Sequence, residues 1–397
     1  MAYDCTLNGG VNCSDINCDS ACVAAGSTLD SEYCRPHQGK TDQFHRLMQL
    51  LDRDSFPDEN SISSDRVRPF VVRTEKRLAI DAEGKPLFKP RVTRTQAVAW
   101  LDRHSAQQGL YEAVTEYVRH GYNQAMASKQ RHIGFLMILM QRLVTSSTAA
   151  IRATLERRLL ALDDDHRQLQ LFSTEGVGDW HELTGDDQID IAVAFEALGD
   201  ERKDVEGLLF LARETEAQGT DAKAEALLEQ IYKIQQEEND PELKVLVFTE
   251  FVPTQAMLAE FLESRGFSVT TLNGSMDLEA RGRAQRAFSG DVRILVSTDA
   301  GGEGLNLQFC HIIVNFDMPW NPMRMEQRIG RVDRIGQPHI VRAINFVLED
   351  TVEHRVREVL EAKLAVIAEE FGVDKVADVM DSVESEPLFD ELFVQGL

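Results

Sequence analysis

Residues 293–308, RILVSTDAGGEGLNLQ, decide the fold. The run opens with a short apolar segment of strand length and passes into a turn carrying Gly301, Gly302 and Gly304. An apolar run bounded by such a turn reads as a buried strand feeding a helix. Glycine there permits close backbone approach, and a helix N-terminus can receive an anion. Taken alone the turn is a weak signal, because many α/β proteins need it for packing. The same texture repeats on both sides. Residues 244–249 (KVLVFT) read as a buried strand, 255–265 as an amphipathic helix, 268–272 as a strand and 278–288 as another helix. Residues 312–317 (IIVNFD) and 340–346 continue the strand series. Strands alternating with helices mean an α/β fold with a parallel sheet covered on both faces. Ligands of such a sheet lie at the C-terminal ends of its strands, so the loops there are the candidate sites.

A second loop of interest is residues 327–337, QRIGRVDRIGQ, expected on a helix starting near Met323. Arg328, Arg331 and Arg334 are three apart, a spacing that puts them along one side of a helix. Three guanidinium groups facing one way repel unless they meet an anion, and Arg is suited to phosphate because it is planar, permanently charged and bidentate. The plainer reading is a surface row paired with Glu326, Asp333 or Glu353.

The chain has 397 residues and a formal charge of −24, with 66 acidic against 42 Lys and Arg side chains. That balance argues against wrapping a duplex over the whole surface, because phosphate binding is largely Lys and Arg neutralisation, but it leaves room for a local basic groove. No apolar stretch is long enough to span a bilayer and no signal-like N-terminus is present, so a cytoplasmic protein without a membrane partner is expected. Cys5, Cys13, Cys18, Cys22 and Cys34 crowd residues 1–35, leaving Cys310 alone in the remainder. Their spacing lacks paired C-x2-C knuckles, so the leader reads as irregular and no metal site is assigned. Residues 36–95 carry a helix at 43–51, a short strand at 68–73 and a turn at 82–86. Residues 96–242 read as helical, most clearly at 110–126 and 133–162, with an acidic, solvated face. The sheet lobe is expected over 243–350 and a helical tail over 351–397.

Together the two loops resemble a known family. STDAGGEGLNLQ followed by QRIGRVDRIGQ resembles motifs V and VI of superfamily 2 helicases, and the RIGQ ending is typical of the Swi2/Snf2 branch. Residues 245–251 (VLVFTEF) resemble motif IV, and 272–276 (LNGSM) the short DNA-facing motif after it. Residues 36–44 resemble the segment just after motif III, and 68–76 the end of a first lobe. The helices at 110–162 resemble those of bacterial relatives involved in RNA-polymerase recycling or phage defence. The resemblance implies a second, RecA-like C-terminal lobe of an ATP-driven DNA translocase. It implies ATP and Mg2+ as cofactors of the complete two-lobe enzyme and sequence-independent binding of duplex DNA. It assigns Arg331 and Arg334 as arginine fingers, and Gln327, Arg328, Gly302, Glu303 and Gly304 to nucleotide binding. Thr249, Ser275 and Thr298 are assigned to the nucleic-acid backbone, with Arg281, Arg283 and Arg286 as auxiliaries; an exposed helix face is the plainer reading of those three and of Arg152, Arg157 and Arg158.

The departures matter. Gly39-Lys40-Thr41 imitates the end of a phosphate-binding loop, yet the first glycine of G-x4-G-K-T falls at Cys34 and no apolar strand leads in. Asp58-Glu59 follows Phe56-Pro57 in a polar loop and is no DExx box. Without those motifs the chain is expected to be inactive alone, the product of an N-terminal truncation or a partner of a separate chain supplying the first lobe. The alternative is a non-enzymatic module binding nucleic acid or a protein. A glycosyltransferase-type nucleotide-binding domain fits the strands but not QRxGRxxRxGQ.

Overall fold

The computed structural model describes residues 41–71, 79–128, 131–163, 185–193, 201–302, 305–319, 322–352 and 354. The Cys-rich leader, the Gly39-Lys40 mimic, most of the tail, Glu303 and Gly304 lie outside them. The chain builds a short N-terminal unit, a helical unit and a sheet lobe.

The lobe is a six-stranded, all-parallel sheet in the order β1-β6-β5-β2-β4-β3, an α/β RecA-like arrangement flanked by helices. Its strands are β1 (Arg91–Val98), β2 (Val245–Phe248), β3 (Val269–Leu272), β4 (Ile294–Ser297), β5 (Ile312–Asn315) and β6 (Val341–Leu348). The central strands are apolar throughout because both faces are covered. Val245, Val247, Ile294, Val296, Ile312, Val314, Ile344 and Phe346 point to one face, packed with α8 (Ala222–Glu238) and α9 (Val252–Glu263). Leu246, Phe248, Leu295, Ile313, Val341 and Ala343 point to the other, with Ala284 and Phe288 of α10 (Leu278–Ser289).

Two features of the sheet were not anticipated. β1 lies in residues expected to end a first lobe and begin a helical region, yet it pairs in parallel with β6 along all eight residues. It is an edge strand whose first four residues are exposed, so its text, RVTRTQAV, has no apolar run to announce it. α8 reads as part of a polar linker, but its buried Ala222, Leu227, Ile231 and Ile234 belong to the sheet core.

The helical unit comprises α3 (Ser105–Ser128), α4 (Arg131–Ser146), α5 (Thr148–Asp163), α6 (Gly185–Val193) and α7 (Glu201–Gln218) around a core of its own. The single helix expected over 133–162 is two, broken at Ser147. Its hydroxyl accepts from Ala150 N at 3.0 Å and so caps α5, the competition with backbone that Ser and Thr runs offer. One residue of the lobe, Phe251, is buried in this helical core.

The N-terminal unit packs Phe44, Leu47 and Met48 of α1 (Thr41–Leu51) on Phe56. Arg66 and Val67 belong to the one-turn helix α2 (Ser64–Val67), after which Phe70 N and Val71 N both donate to Val67 O. Residues 68–71 therefore form a turn in place of the expected strand. The turn expected at 82–86 is present, with Gly84 at φ +81° inside the Ile80–Pro86 bridge. Among the described residues no helix is long and apolar enough to cross a membrane.

Candidate functional site

The chain runs from β2 outward to β3, returns to β4, then passes over β2 to β5 and β6 on the other side. The reversal leaves a crevice beyond the C-terminal ends of β2, β4 and β5, where parallel sheets place ligands. Thr249 and Glu250 follow β2, Thr298 and Asp299 follow β4, and Phe316 and Asp317 follow β5.

The turn after β4 begins with a one-turn helix, α11 (Asp299–Gly302). Gly301 and Gly302 are needed for its approach to the sheet. A side chain on Gly301 overlaps the Leu272 carbonyl, and one on Gly302 meets the Phe248 ring at 2.8 Å. Asp299 heads this turn and accepts from one edge of the Arg328 guanidinium, Nε to Oδ1 at 2.5 Å and Nη2 to Oδ2 at 2.8 Å. Arg328 is 2% exposed. Its Nη1 donates to Asp317 O at 2.8 Å and Asn315 Oδ1 at 3.4 Å, and its guanidinium lies 5.3 Å from the centroid of the Phe248 ring. Burial works against charge on both partners, but the charge and hydrogen bonds of each outweigh it, so Asp299 is held below the ordinary carboxylate pKa and Arg328 above the ordinary guanidinium value.

The three arginines do not share a helix face, which corrects the expected row. α12 (Pro322–Ile329) stops before Gly330, and the backbone continues in tight turns, with Arg331 N donating to Arg328 O and Val332 N to Ile329 O. Arg328 therefore points inward to Asp299, whereas Arg331 and Arg334 are half-buried beyond the helix end. Their segment is tied to the loop after α11. Leu307 N donates to Arg331 O at 3.0 Å, and Arg334 Nη2 to Leu305 O at 3.1 Å. Buried Gln337 completes the seam, its amide nitrogen within 3.0 Å of the Gln308, Cys310 and Val332 carbonyls. That side chain closes the RIGQ ending, so its contribution here is positional.

Other expected residues divide between surface and interior. Gln327 is exposed and Gly302 buried. Ser275 is exposed, its hydroxyl donating to Asn273 Oδ1 at 2.7 Å. Thr249 and Thr298 are buried, the first donating to Asp317 and the second 3.4 Å from Gly301 N. Arg281 bonds the Met276 and Gly274 carbonyls, Arg283 pairs with Glu279, and Arg286 is exposed on the same helix. In the helical unit the exposed-face reading holds for Arg157 alone of the three, since Arg152 is half-buried and Arg158 buried. Arg152 pairs with Glu156 and Glu216, Arg157 with Asp190, and fully buried Arg158 with Glu201 at 2.7 Å.

The residue that motif reading missed is Asp317, which had appeared only as a strand end. Its carboxylate accepts from Thr249 Oγ1, Glu250 N, Ser146 Oγ and Lys223 Nζ. A lone carboxylate just after an apolar strand is its one signal.

Residues 222–336 match the helicase conserved C-terminal domain. Over 141 residues the chain is 38% identical to the uncharacterized ATP-dependent helicase YqhH of Bacillus subtilis (strain 168), covering 36% of this chain and 25% of that protein. It is 37% identical over 119 residues to the RNA polymerase-associated protein RapA of Pseudomonas aeruginosa (strain LESB58), covering 29% of this chain and 12% of that one. The match thus spans a quarter or less of these relatives. Among solved structures, the Sulfolobus solfataricus SWI2/SNF2 ATPase core in complex with dsDNA aligns over 89% of this chain and 60% of its own, at 16% identity and a TM-score of 0.45.

Proposed function

We propose, from the premise that residues 222–336 are a superfamily 2 helicase C-terminal lobe of the Swi2/Snf2-like type, that the chain contributes the cationic half of an inter-lobe ATPase site and a sequence-independent grip on duplex DNA. The observation that carries this reading is the seam between residues 305–310 and 331–337. It holds Arg331 and Arg334 together at the strand ends while Arg328 is spent on Asp299.

The donor set fits a phosphate chain. Two guanidinium groups that are half-buried are only partly desolvated, as a group that meets an anion from one side requires. Bound ATP with Mg2+ supplies the phosphoryl group whose transfer drives such enzymes. Arg331 and Arg334 meet the charge that develops on it, a role typically worth about 10³–10⁵ in rate. Gln327, exposed near the end of α12, and Gly302 at the end of α11 are assigned to the same nucleotide, as are Glu303 and Gly304, which lie outside the described residues. Arg328 acts from behind by fixing Asp299 and the turn. No phosphate-cradling G-x4-G-K-S/T loop occurs in this sequence, so the opposite face of the nucleotide is supplied by a first lobe outside it.

On the nucleic-acid side Ser275 is the exposed contact, with Arg281 and Arg286 flanking it and Thr249 and Thr298 supporting the surface from below. Hydroxyl and main-chain contacts of this kind position a duplex without reading its sequence.

The test is DNA-stimulated ATP hydrolysis by the chain mixed with the first lobe of the Bacillus relative, beside the Arg331→Ala, Arg334→Ala double variant. Turnover that the double variant lowers at least 10³-fold is expected. Undiminished turnover in the variant refutes the assignment. Duplex binding by the chain alone that is unaffected by ATP, with no hydrolysis in any mixture, favours a non-enzymatic binding module.

A further inference from the structure

One cluster of polar contacts between the helical unit and the lobe lies at the loop after β2. Arg142 of α4 pairs with Glu250 and holds Gln188 of α6 at 2.8 Å. Asp186 of α6 accepts from Val252 N at 3.2 Å, which makes it the N-terminal cap of α9 in place of Phe251, whose side chain makes no capping bond. Gly185 lies against the Glu250 carbonyl so closely that a side chain there would meet it at 2.6 Å. Beneath this clasp Ser146 of α4 bonds both Thr254 Oγ1 at 2.7 Å and Asp317 Oδ2 at 3.0 Å.

Asp317 stands where this clasp meets the arginine segment. Its carboxylate is held from the helical unit by Ser146, from α8 by Lys223 at 3.3 Å, and from β2 by Thr249 and Glu250 N. Lys223 is 1% exposed and also donates to Thr145 O at 3.1 Å, so α8 is tied to the end of α4 as well. On its other side the Asp317 carbonyl accepts from Arg328 Nη1 at 2.8 Å, and Arg328 carries Asp299 on its remaining edge. Side chain and main chain of one residue thus join α4, α8, the loop after β2 and α12, and Arg328 carries the link on to the turn after β4.

We propose that Asp317 is a positioning residue, the joint through which the helical unit sets where Arg328, and behind it the Gly330–Arg334 segment, sits. None of the groups around it faces solvent, so each bond acts in a low dielectric, where a hydrogen bond to an ionised group weights a local equilibrium by roughly ten- to a hundredfold. Losing the Ser146 contact leaves the carboxylate on Thr249, Glu250 N and Lys223, so Asp317 is no longer held from α4 and its main chain is less tightly fixed. A shift of that main chain displaces the carbonyl to which Arg328 Nη1 donates, and the Arg331 carbonyl that receives Leu307 N shifts in turn. Whatever binds or bends the helical unit therefore reaches Arg331 and Arg334 without touching them. The meaning of that connection for turnover rests on the reading of those arginines as nucleotide-facing, but its existence does not.

The test is amide hydrogen exchange of the full chain with no nucleotide or DNA present, so that it can fail independently of the ATPase experiment. Ser146→Ala is expected to speed exchange about five- to tenfold at residues 305–308 and 330–334 while β2, β4 and β5 keep their protection. Arg328→Lys is expected to speed the same segments, and the double variant to match Arg328→Lys alone. Arg213→Ala, at an exposed pair with Glu156 elsewhere on the helical unit, serves as the control and leaves them unchanged. The isosteric Asp317→Asn gives the Ser146→Ala pattern and reports on the joint should Ser146→Ala fail to fold. Faster exchange confined to residues 143–150 and 250–256, a uniform rise across the lobe, or double-variant effects that multiply would each overturn the proposal.

Discussion

Asp299→Ala should destabilise the lobe by about 3 kcal/mol, and the figure follows from what it leaves behind. The wild-type pair has two charge-assisted bonds at 2.5 and 2.8 Å, with side-chain exposures of 2% for Arg328 and 18% for Asp299. Removing the carboxylate strands a guanidinium that cannot shed its proton, and breaking a buried pair in this way costs about 3–5 kcal/mol. Asp317 O, Asn315 Oδ1 and the Phe248 ring still receive the cation, and water reaches the Asp299 side, so the low end of that range applies. Urea unfolding should show a midpoint about 1–3 M lower at neutral pH, given slopes of about 1–3 kcal/mol/M. Asp299→Ala with Arg328→Met should recover part of the loss, because an apolar replacement leaves no stranded charge. The pH dependence has a definite sign. The folded state holds Asp299 below the ordinary carboxylate value of about 3.9, so its contribution is complete above that pH and disappears as the pH falls through the lower folded value. The gap between wild type and variant should therefore narrow in acid. A loss below about 1 kcal/mol, or a double variant less stable than Asp299→Ala, would refute the buried-pair reasoning.

Three further outcomes are expected. Gly301→Ala places a methyl group against the Leu272 carbonyl, which is backbone and cannot swing aside, so a thermal melt should show a loss of about 1–3 kcal/mol, whereas the same change at exposed Gly84 is governed by its φ of +81° alone. Gln337→Ala strips the shared donor from the carbonyls of Gln308, Cys310 and Val332 and should cost about 1–3 kcal/mol in urea unfolding, with Arg331 and Arg334 left in place. Arg158→Ala leaves Glu201 buried without its partner and should cost about 3–5 kcal/mol, with the loss confined to melting of the helical unit.

The sheet was legible where its text is simple. β2, β4 and β5 are buried on both faces and therefore read as runs of Val, Ile and Leu, and the structure has them within a residue or two of the expected bounds. β1 was illegible for the opposite reason: an edge strand can be polar, and RVTRTQAV carries no periodic signal. α8 was obscured by composition, since its apolar residues at 227, 231 and 234 are separated by charged positions on a solvated face. The clasp around Glu250 and Asp317 was beyond reading altogether. Its members pair across 46 to 171 residues of chain, and each, taken singly, is an ordinary polar residue.

The arginine row shows how an even spacing in sequence can mislead about geometry. Equal spacing of Arg328, Arg331 and Arg334 implies one helical face only while the helix lasts, and it ends at Ile329, one residue after the first of them. Past that point Arg331 and Val332 donate to carbonyls three residues back, and the turn rotates the chain away from α12. The consequence is a division of labour that the spacing hides. A guanidinium buried against Asp299 is a poor phosphate ligand, because withdrawing it costs the pair's full desolvation balance. The same burial suits it to hold the turn after β4 and the end of β5 in a fixed relation. Arg331 and Arg334, tied through main chain and a carbonyl contact to the 305–308 loop, inherit that fixed frame while remaining half-buried at the crevice. On the proposed reading, a cationic pair held from behind needs little rearrangement to meet a phosphate, and the inward-facing arginine is then as necessary to the site as the two beside it.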